Sequence, residues 1–160
     1  MKKLNLAKSF SYIVAIILVF GAAKLNAQSQ LSVMAGYKAI EVSGAYTAEN
    51  ELIFGVAISA VDSKMTQKRA NTNDKGSNHE FKSDYTPAAF GLIGAKFDQL
   101  SIIGKIGGAY IKQEINGNPE PQNIYLAVGV IIDYKVSELT GLRVSYDAVS
   151  GPMAGISLNF

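Results

Sequence analysis

The sequence predicts an all-β fold: an eight-stranded antiparallel up-and-down β-barrel that spans a membrane. Three observations predict it. Beyond residue 28, apolar residues recur at every second position, the period of a strand, and no apolar run is long enough for a membrane helix. The alternating segments are mostly near the ~9–11 residues of a tilted transmembrane strand, and the polar connections between them are tight on one side and longer on the other. The face opposite the apolar one is built of small residues, among them Gly36, Ser43, Ala45, Gly55, Ala57, Gly107, Ala109, Gly129, Ser145, Gly155 and Ser157, with a few charges. A soluble sandwich also alternates, but its water-facing side would carry more Lys, Glu and Thr.

Composition narrows the function classes. The 160 residues contain no Cys, which excludes disulfides, thiolate zinc sites, a cysteine nucleophile and a lipid-anchoring cysteine. Charged residues are 18%, low against about 25% for soluble proteins. The formal charge of +2 comes from the first 27 residues, where Lys2, Lys3, Lys8 and Lys24 stand with no acid. The remaining 133 residues hold 11 basic and 13 acidic side chains, so no nucleic-acid partner is expected.

Taken in order, residues 1–27 read as a secretory signal peptide: a basic start, the apolar run Tyr12–Ala23, and the small Ala27 at the cleavage point. Residues 28–160 are then the barrel domain. The first two strands, 30–38 and 39–47, are joined by a short connection, and Ile40, Val42, Gly44 and Tyr46 alternate with Glu41, Ser43, Ala45 and Thr47. The third strand is 51–62, after the tight turn 48–50. The stretch 63–87 is polar and is expected to be a long, mobile loop. Its His79, between Asn78 and Glu80, is the only histidine; with too few neighbouring ligands for a metal, it is expected to be loop decoration instead of part of a Ser77–His79–Glu80 catalytic set. The strand 88–97 is assigned with Ile93 and Phe97 outward, which sends Phe90, Leu92 and Lys96 inward. The strand 100–112 carries Gly104, Gly107 and Gly108 without a phosphate-binding loop after them, and 113–123 is a second long loop. In 124–136 the apolar series Ile124, Leu126, Val128, Val130, Ile132, Tyr134, Val136 is unbroken, and the strands 139–148 and 153–160 follow the same alternation.

The aromatic residues sort by height. With the amino terminus on the periplasmic side, Tyr37, Tyr110 and Tyr146 fall at the outer strand ends, and Tyr46, Phe97, Tyr134 and Phe160 at the inner ends, making two interfacial girdles. The inward face should hold Glu41, Lys96, Lys105, Asp133, Lys135, Arg143 and Asp147. An eight-stranded barrel is only wide enough for side chains to fill it, so these charges should pair as a structural plug. No cofactor, metal or catalytic residue is expected.

The run Gly129–Tyr134, then Leu142–Asp147, then the terminal Phe160, resembles the last three strands of small OmpA/OmpX-type barrels, within the broad porin-family group of Gram-negative outer membranes. Asn26-Ala27-Gln28 at the signal junction resembles short secreted barrels of Bacteroidetes. The resemblance implies residence in the cell outer membrane among lipid and lipopolysaccharide. It implies delivery by periplasmic chaperones and insertion by the barrel assembly machinery, for which Phe160 would be the signal. The peptidoglycan-binding domain that OmpA adds is not expected. No single activity is implied. The role expected is envelope-structural or surface-interacting through 63–87, with an unknown surface ligand; a lipid-modifying barrel enzyme and a narrow channel are the alternatives.

Overall fold

The structure, a computed structural model, describes residues 28–119 and 124–160. The signal-peptide reading of 1–27 lies outside the described residues. Eight strands close into an antiparallel barrel: β1 (Gln28–Gly36), β2 (Ala39–Thr47), β3 (Leu52–Asp62), β5 (Tyr85–Phe97), β6 (Leu100–Tyr110), β9 (Ile124–Lys135), β10 (Thr140–Asp147) and β11 (Gly151–Asn159). Each pairs with its neighbours in sequence, and β1 pairs with β11 from Gln30↔Asn159 to Gly36↔Met153, which closes the sheet. The fold is a transmembrane β-barrel.

The period of two sorts the side chains as the sequence demands. On β9, Ile124, Leu126, Val128, Val130, Ile132 and Tyr134 are exposed, whereas Ala127, Ile131 and Asp133 are buried. The same division runs through β10, with Leu142, Val144 and Tyr146 outside and Arg143, Ser145 and Asp147 inside. On β5, Ile93 and Phe97 face out and Phe90 and Leu92 are buried. The exposed apolar residues make a belt around the molecule, which water would penalise and hydrocarbon accepts. Tyr37, Tyr110 and Tyr146 stand exposed at the mouth that carries the long connections. Tyr46, Phe97, Tyr134 and Phe160 stand exposed at the mouth that carries the chain ends, and Tyr46 stacks on Phe54 at 5.6 Å. Tyr85 joins the first group. It belongs to a strand and not, as the polar run 63–87 suggests, to a loop.

The long connections are the main correction. The stretch 63–87 is not a structureless loop: it forms the helix α1 (Ser63–Asn73), the strand β4 (His79–Phe81) and the first residues of β5, which starts at Tyr85 and not at residue 88. The stretch 113–123 contributes β7 (Gln113–Ile115) and β8 (Asn118–Pro119). β4, β7 and β8 make a second, three-stranded sheet in the order β4-β7-β8. The turn between β7 and β8 is Asn116-Gly117, with φ of 53° and 80° at the two residues, the conformation that an Asn-Gly hairpin supplies.

Local chemistry explains α1, which has almost no apolar face. Asp62 caps it, its Oδ1 accepting the Lys64 N–H at 2.9 Å. On the face turned to β4, Gln67 Oε1 accepts the Phe81 N–H at 3.0 Å. One turn later, Asn71 Oδ1 accepts the His79 N–H at 2.7 Å and its Nδ2 donates to the His79 carbonyl at 3.2 Å. Two amides one helical turn apart thus satisfy the free edge of β4, doing the job of a neighbouring strand.

Candidate functional site

Two places concentrate polar chemistry: the lumen and the cap over the loop mouth. In the lumen, Lys105 on β6 donates to Glu41 Oε2 on β2 and, at 2.8 Å, to Asp147 Oδ2 on β10. The Lys105 ammonium also lies 4.2 Å from the centre of the Phe90 ring. The other oxygen of Asp147 accepts the N–H groups of Val149 and Ser150, at 2.9 and 2.6 Å, so one carboxylate ties the β10–β11 turn to the lumen cluster. Nearer the terminal mouth, Arg143 donates to Asp133 Oδ2 through Nε at 2.9 Å and through an η nitrogen at 2.6 Å. It also donates to Ser32 Oγ at 2.6 Å, to Ser43 Oγ at 3.0 Å and to Gln30 Oε1. Asp133 in turn accepts from Gln30 Nε2 at 2.8 Å and from Ser157 Oγ at 3.1 Å.

Five of the seven lumen charges read from the sequence are therefore buried in two clusters, Glu41–Lys105–Asp147 and Asp133–Arg143. Lys96 and Lys135 are not in that dry network. Both are half-buried at the terminal mouth, where Lys96 donates to Gln28 Oε1 at 3.3 Å and lies 3.8 Å from Glu51. Being the last inward positions of their strands, they reach the water at the mouth instead of needing a buried partner.

Ile111, Val149 and Met153 belong to the buried apolar cluster, against which Phe81 and Tyr125 pack. His79 is part of a hydrogen-bonded chain and not loop decoration. Its Nδ1 lies 3.1 Å from Gln113 Oε1, its Nε2 lies 3.4 Å from Asp74 Oδ2, and Gln113 Nε2 donates to the Tyr125 hydroxyl at 2.6 Å. The Ser77–His79–Glu80 set does not assemble. Ser77 bonds Asp74, which with the His79 ring and the Gly76 N–H holds that carboxyl below the usual carboxylate range. Glu80 pairs with Lys82 at 3.0 Å, and Glu114 does so at 3.1 Å; the two carboxylates, Glu80 foremost, hold the Lys82 ammonium above the ordinary lysine range.

Between α1, β4 and the barrel rim lies an open groove of about 680 Å3. The rim contributes Lys38, Asp62 and Tyr85, and α1 contributes Ser63, Lys64 and Gln67. The far wall is Glu80–Asp84. Lys38 and Asp62 are ion-paired at 3.3 Å. Among the described residues no group of three or more His, Asp or Glu side chains is placed to hold a metal ion. Sequence reasoning missed Gln67, Asn71, Gln113 and Tyr125. The Asn116-Gly117 dipeptide was the signal that could have found the β7–β8 hairpin that brings Gln113 into place.

No protein-family model and no curated protein sequence matches the chain. Solved structures do. The outer membrane protein Ail of Yersinia pestis in phospholipid nanodiscs is similar with a TM-score of 0.56 at 13% identity, over 84% of this chain and 100% of that one. Ail crystallised with the heparin analogue sucrose octasulfate gives 0.51 at 14% identity, over 85% and 100%. Neisserial surface protein A gives 0.43 at 13% identity, over 84% and 94%. At these identities the likeness to Ail is one of fold: a small eight-stranded membrane barrel.

Proposed function

We propose that the protein is an integral outer-membrane barrel with a closed lumen, non-enzymatic, that works through the surface displayed at its loop mouth. The closed lumen carries this reading: the two charge clusters occupy the interior that a solute would have to cross, and apart from one oxygen of Glu41 their charged groups are met by protein partners. The same observation weighs against the narrow-channel alternative. The cap supports a surface role, since its helix and three-stranded sheet present a formed surface to a partner, and less conformational entropy is lost on contact than from an irregular loop. Ail, the attachment invasion locus protein, shares the fold and has been crystallised with a heparin analogue, which makes surface contact a natural use of this architecture. The kinship with Bacteroidetes barrels belongs to the same proposal. Purified protein in planar bilayers is expected to give no unitary conductance steps. Reproducible steps that change size in a Lys105→Met variant would turn the reading to a channel.

The proposed partners are outer-leaflet lipid and lipopolysaccharide around the apolar belt, periplasmic chaperones in transit, and the barrel assembly machinery. Phe160 stands 73% exposed beyond the end of β11, where its ring can be read by that machinery. Phe160→Ser is therefore expected to lower outer-membrane yield in cell fractions while refolding in detergent stays near wild type. Equal yields for the two proteins would remove the targeting role.

A further inference from the structure

We propose that the groove between α1, β4 and the barrel rim is a carbohydrate site, which takes a short run of uncharged, hydroxyl-rich saccharide. The inference deepens the surface role proposed above and rests on it.

The groove's volume, about 680 Å3, lies within the range of small-ligand sites. Its charges balance: Lys38, Lys64 and Lys82 face Asp62, Glu80 and Asp84. Two of these cations and two of these anions are already paired, Lys38 with Asp62 and Lys82 with Glu80. Lys82 is shared with Glu114 as well, so a polyanion would meet no net attraction here. What remains is a mixed set of groups that make no side-chain hydrogen bond among the described residues: the Lys64 ammonium, which acts on Asp62 through its charge alone, Gln67 Nε2, the Ser83 hydroxyl and the Asp84 carboxylate. Donors and acceptors stand together, which suits sugar hydroxyls, each a donor and an acceptor at once. Two aromatic residues, Phe81 and Tyr85, border the same groove and add apolar edges to it.

The walls are also held in place before any ligand arrives. Gln67 is fixed through its oxygen by the Phe81 N–H, leaving its nitrogen for the groove. The Ser63 N–H donates to the Asp84 carbonyl at 3.0 Å, and the Asp62 N–H donates to the Lys38 carbonyl at 3.0 Å, so the floor is tied across three segments. The backbone of the walls and the Gln67 side chain are thus set before binding, so ordering them costs a ligand nothing further.

The test uses the full-length mature protein in nanodiscs, with fluorescently labelled maltohexaose, cellohexaose and mannohexaose as neutral probes and a sulfated heparin hexasaccharide as the charged one. At least one neutral probe is expected to bind, with little change between low and high salt. Asp84→Ala and Lys64→Ala, each still giving the heat-modifiable band of a folded barrel, should weaken that binding about tenfold. A second arm offers the same sugar as the headgroup of a glycolipid in the nanodisc, which separates a ligand in the protein's own membrane from one met in solution. Binding of no neutral probe in either arm, binding of the sulfated probe alone, or unchanged affinity in both variants overturns the proposal. Protease cleavage in the cap of intact cells checks the surface reading separately. A cap that is cut but binds no neutral sugar sinks the groove proposal alone, whereas a cap shielded in intact cells and cut in broken ones sinks the surface role itself.

Discussion

Arg143→Leu is expected to cost the barrel about 3–5 kcal/mol of stability, the usual loss when one partner of a buried ion pair is removed. Arg143 is 1% exposed and its guanidinium is the hub of the lower lumen, donating to Asp133, Gln30, Ser32 and Ser43 across strands β9, β1 and β2. Leucine fills some of the volume but leaves the Asp133 carboxylate buried with only Gln30 and Ser157 to solvate it. The double variant Arg143→Leu/Asp133→Leu removes that orphaned charge and should recover most of the loss, because an apolar replacement of a buried pair is often neutral or better. Urea titration in lipid vesicles, read by the heat-modifiable gel shift, measures both. A single variant as stable as wild type would mean that water or lipid headgroups reach Asp133. A double variant as weak as the single one would mean that the serines and Gln30, and not the ion pair, hold the lower lumen together.

The parts of this molecule that the sequence made legible are those where period-2 patterning meets a two-sided environment. The β9 series from Ile124 to Tyr134 could be read directly, because lipid on one side and a packed lumen on the other leave a strand no freedom of register. Charges on the small-residue face could be read as inward for the same reason. Their partners could not be. Lys105 meets Glu41 only because closure and stagger of the sheet carry β6 across the lumen to β2, and stagger is not written in any one strand. The cap was illegible for a different reason. α1 has no apolar stripe, and its stability comes from an Asp62 cap and from Gln67 and Asn71 pairing with the β4 backbone, interactions that depend on where β4 lies. Lys96 and Lys135 had the right face but not the right depth, since distance from the mouth decides whether a lumen lysine needs a buried partner.

Gly155→Val is expected to abolish the folded barrel, and Gly104→Ala to leave it nearly intact, although both glycines lie mid-strand. The difference is which side of the wall each faces. Gly155 points into the lumen at the β1–β11 seam, opposite Met34. A Cβ there would sit 2.0 Å from the Val33 carbonyl oxygen and 2.6 Å from the Met34 Cα, both backbone atoms that cannot turn aside. In a wall as tightly curved as that of eight strands, inward Cβ atoms converge, so glycine at such positions lets neighbouring strands approach. Valine adds two methyl groups to that clash, and relief requires β11 to move away from β1, the pairing that closes the barrel. Gly104 faces outward on β6, where an added Cβ meets nothing closer than the Ile93 carbonyl oxygen at 3.5 Å, an ordinary contact, and its methyl would join the lipid-facing belt. Refolding yield in detergent, scored by the heat-modifiable band and by β-sheet circular dichroism, compares the two. A fully folded Gly155→Val protein would mean that the seam is looser than the pairing implies. A Gly104→Ala protein that fails to fold would mean that outward glycines serve the curvature too, and that the side of the wall is not what separates tolerated from forbidden positions.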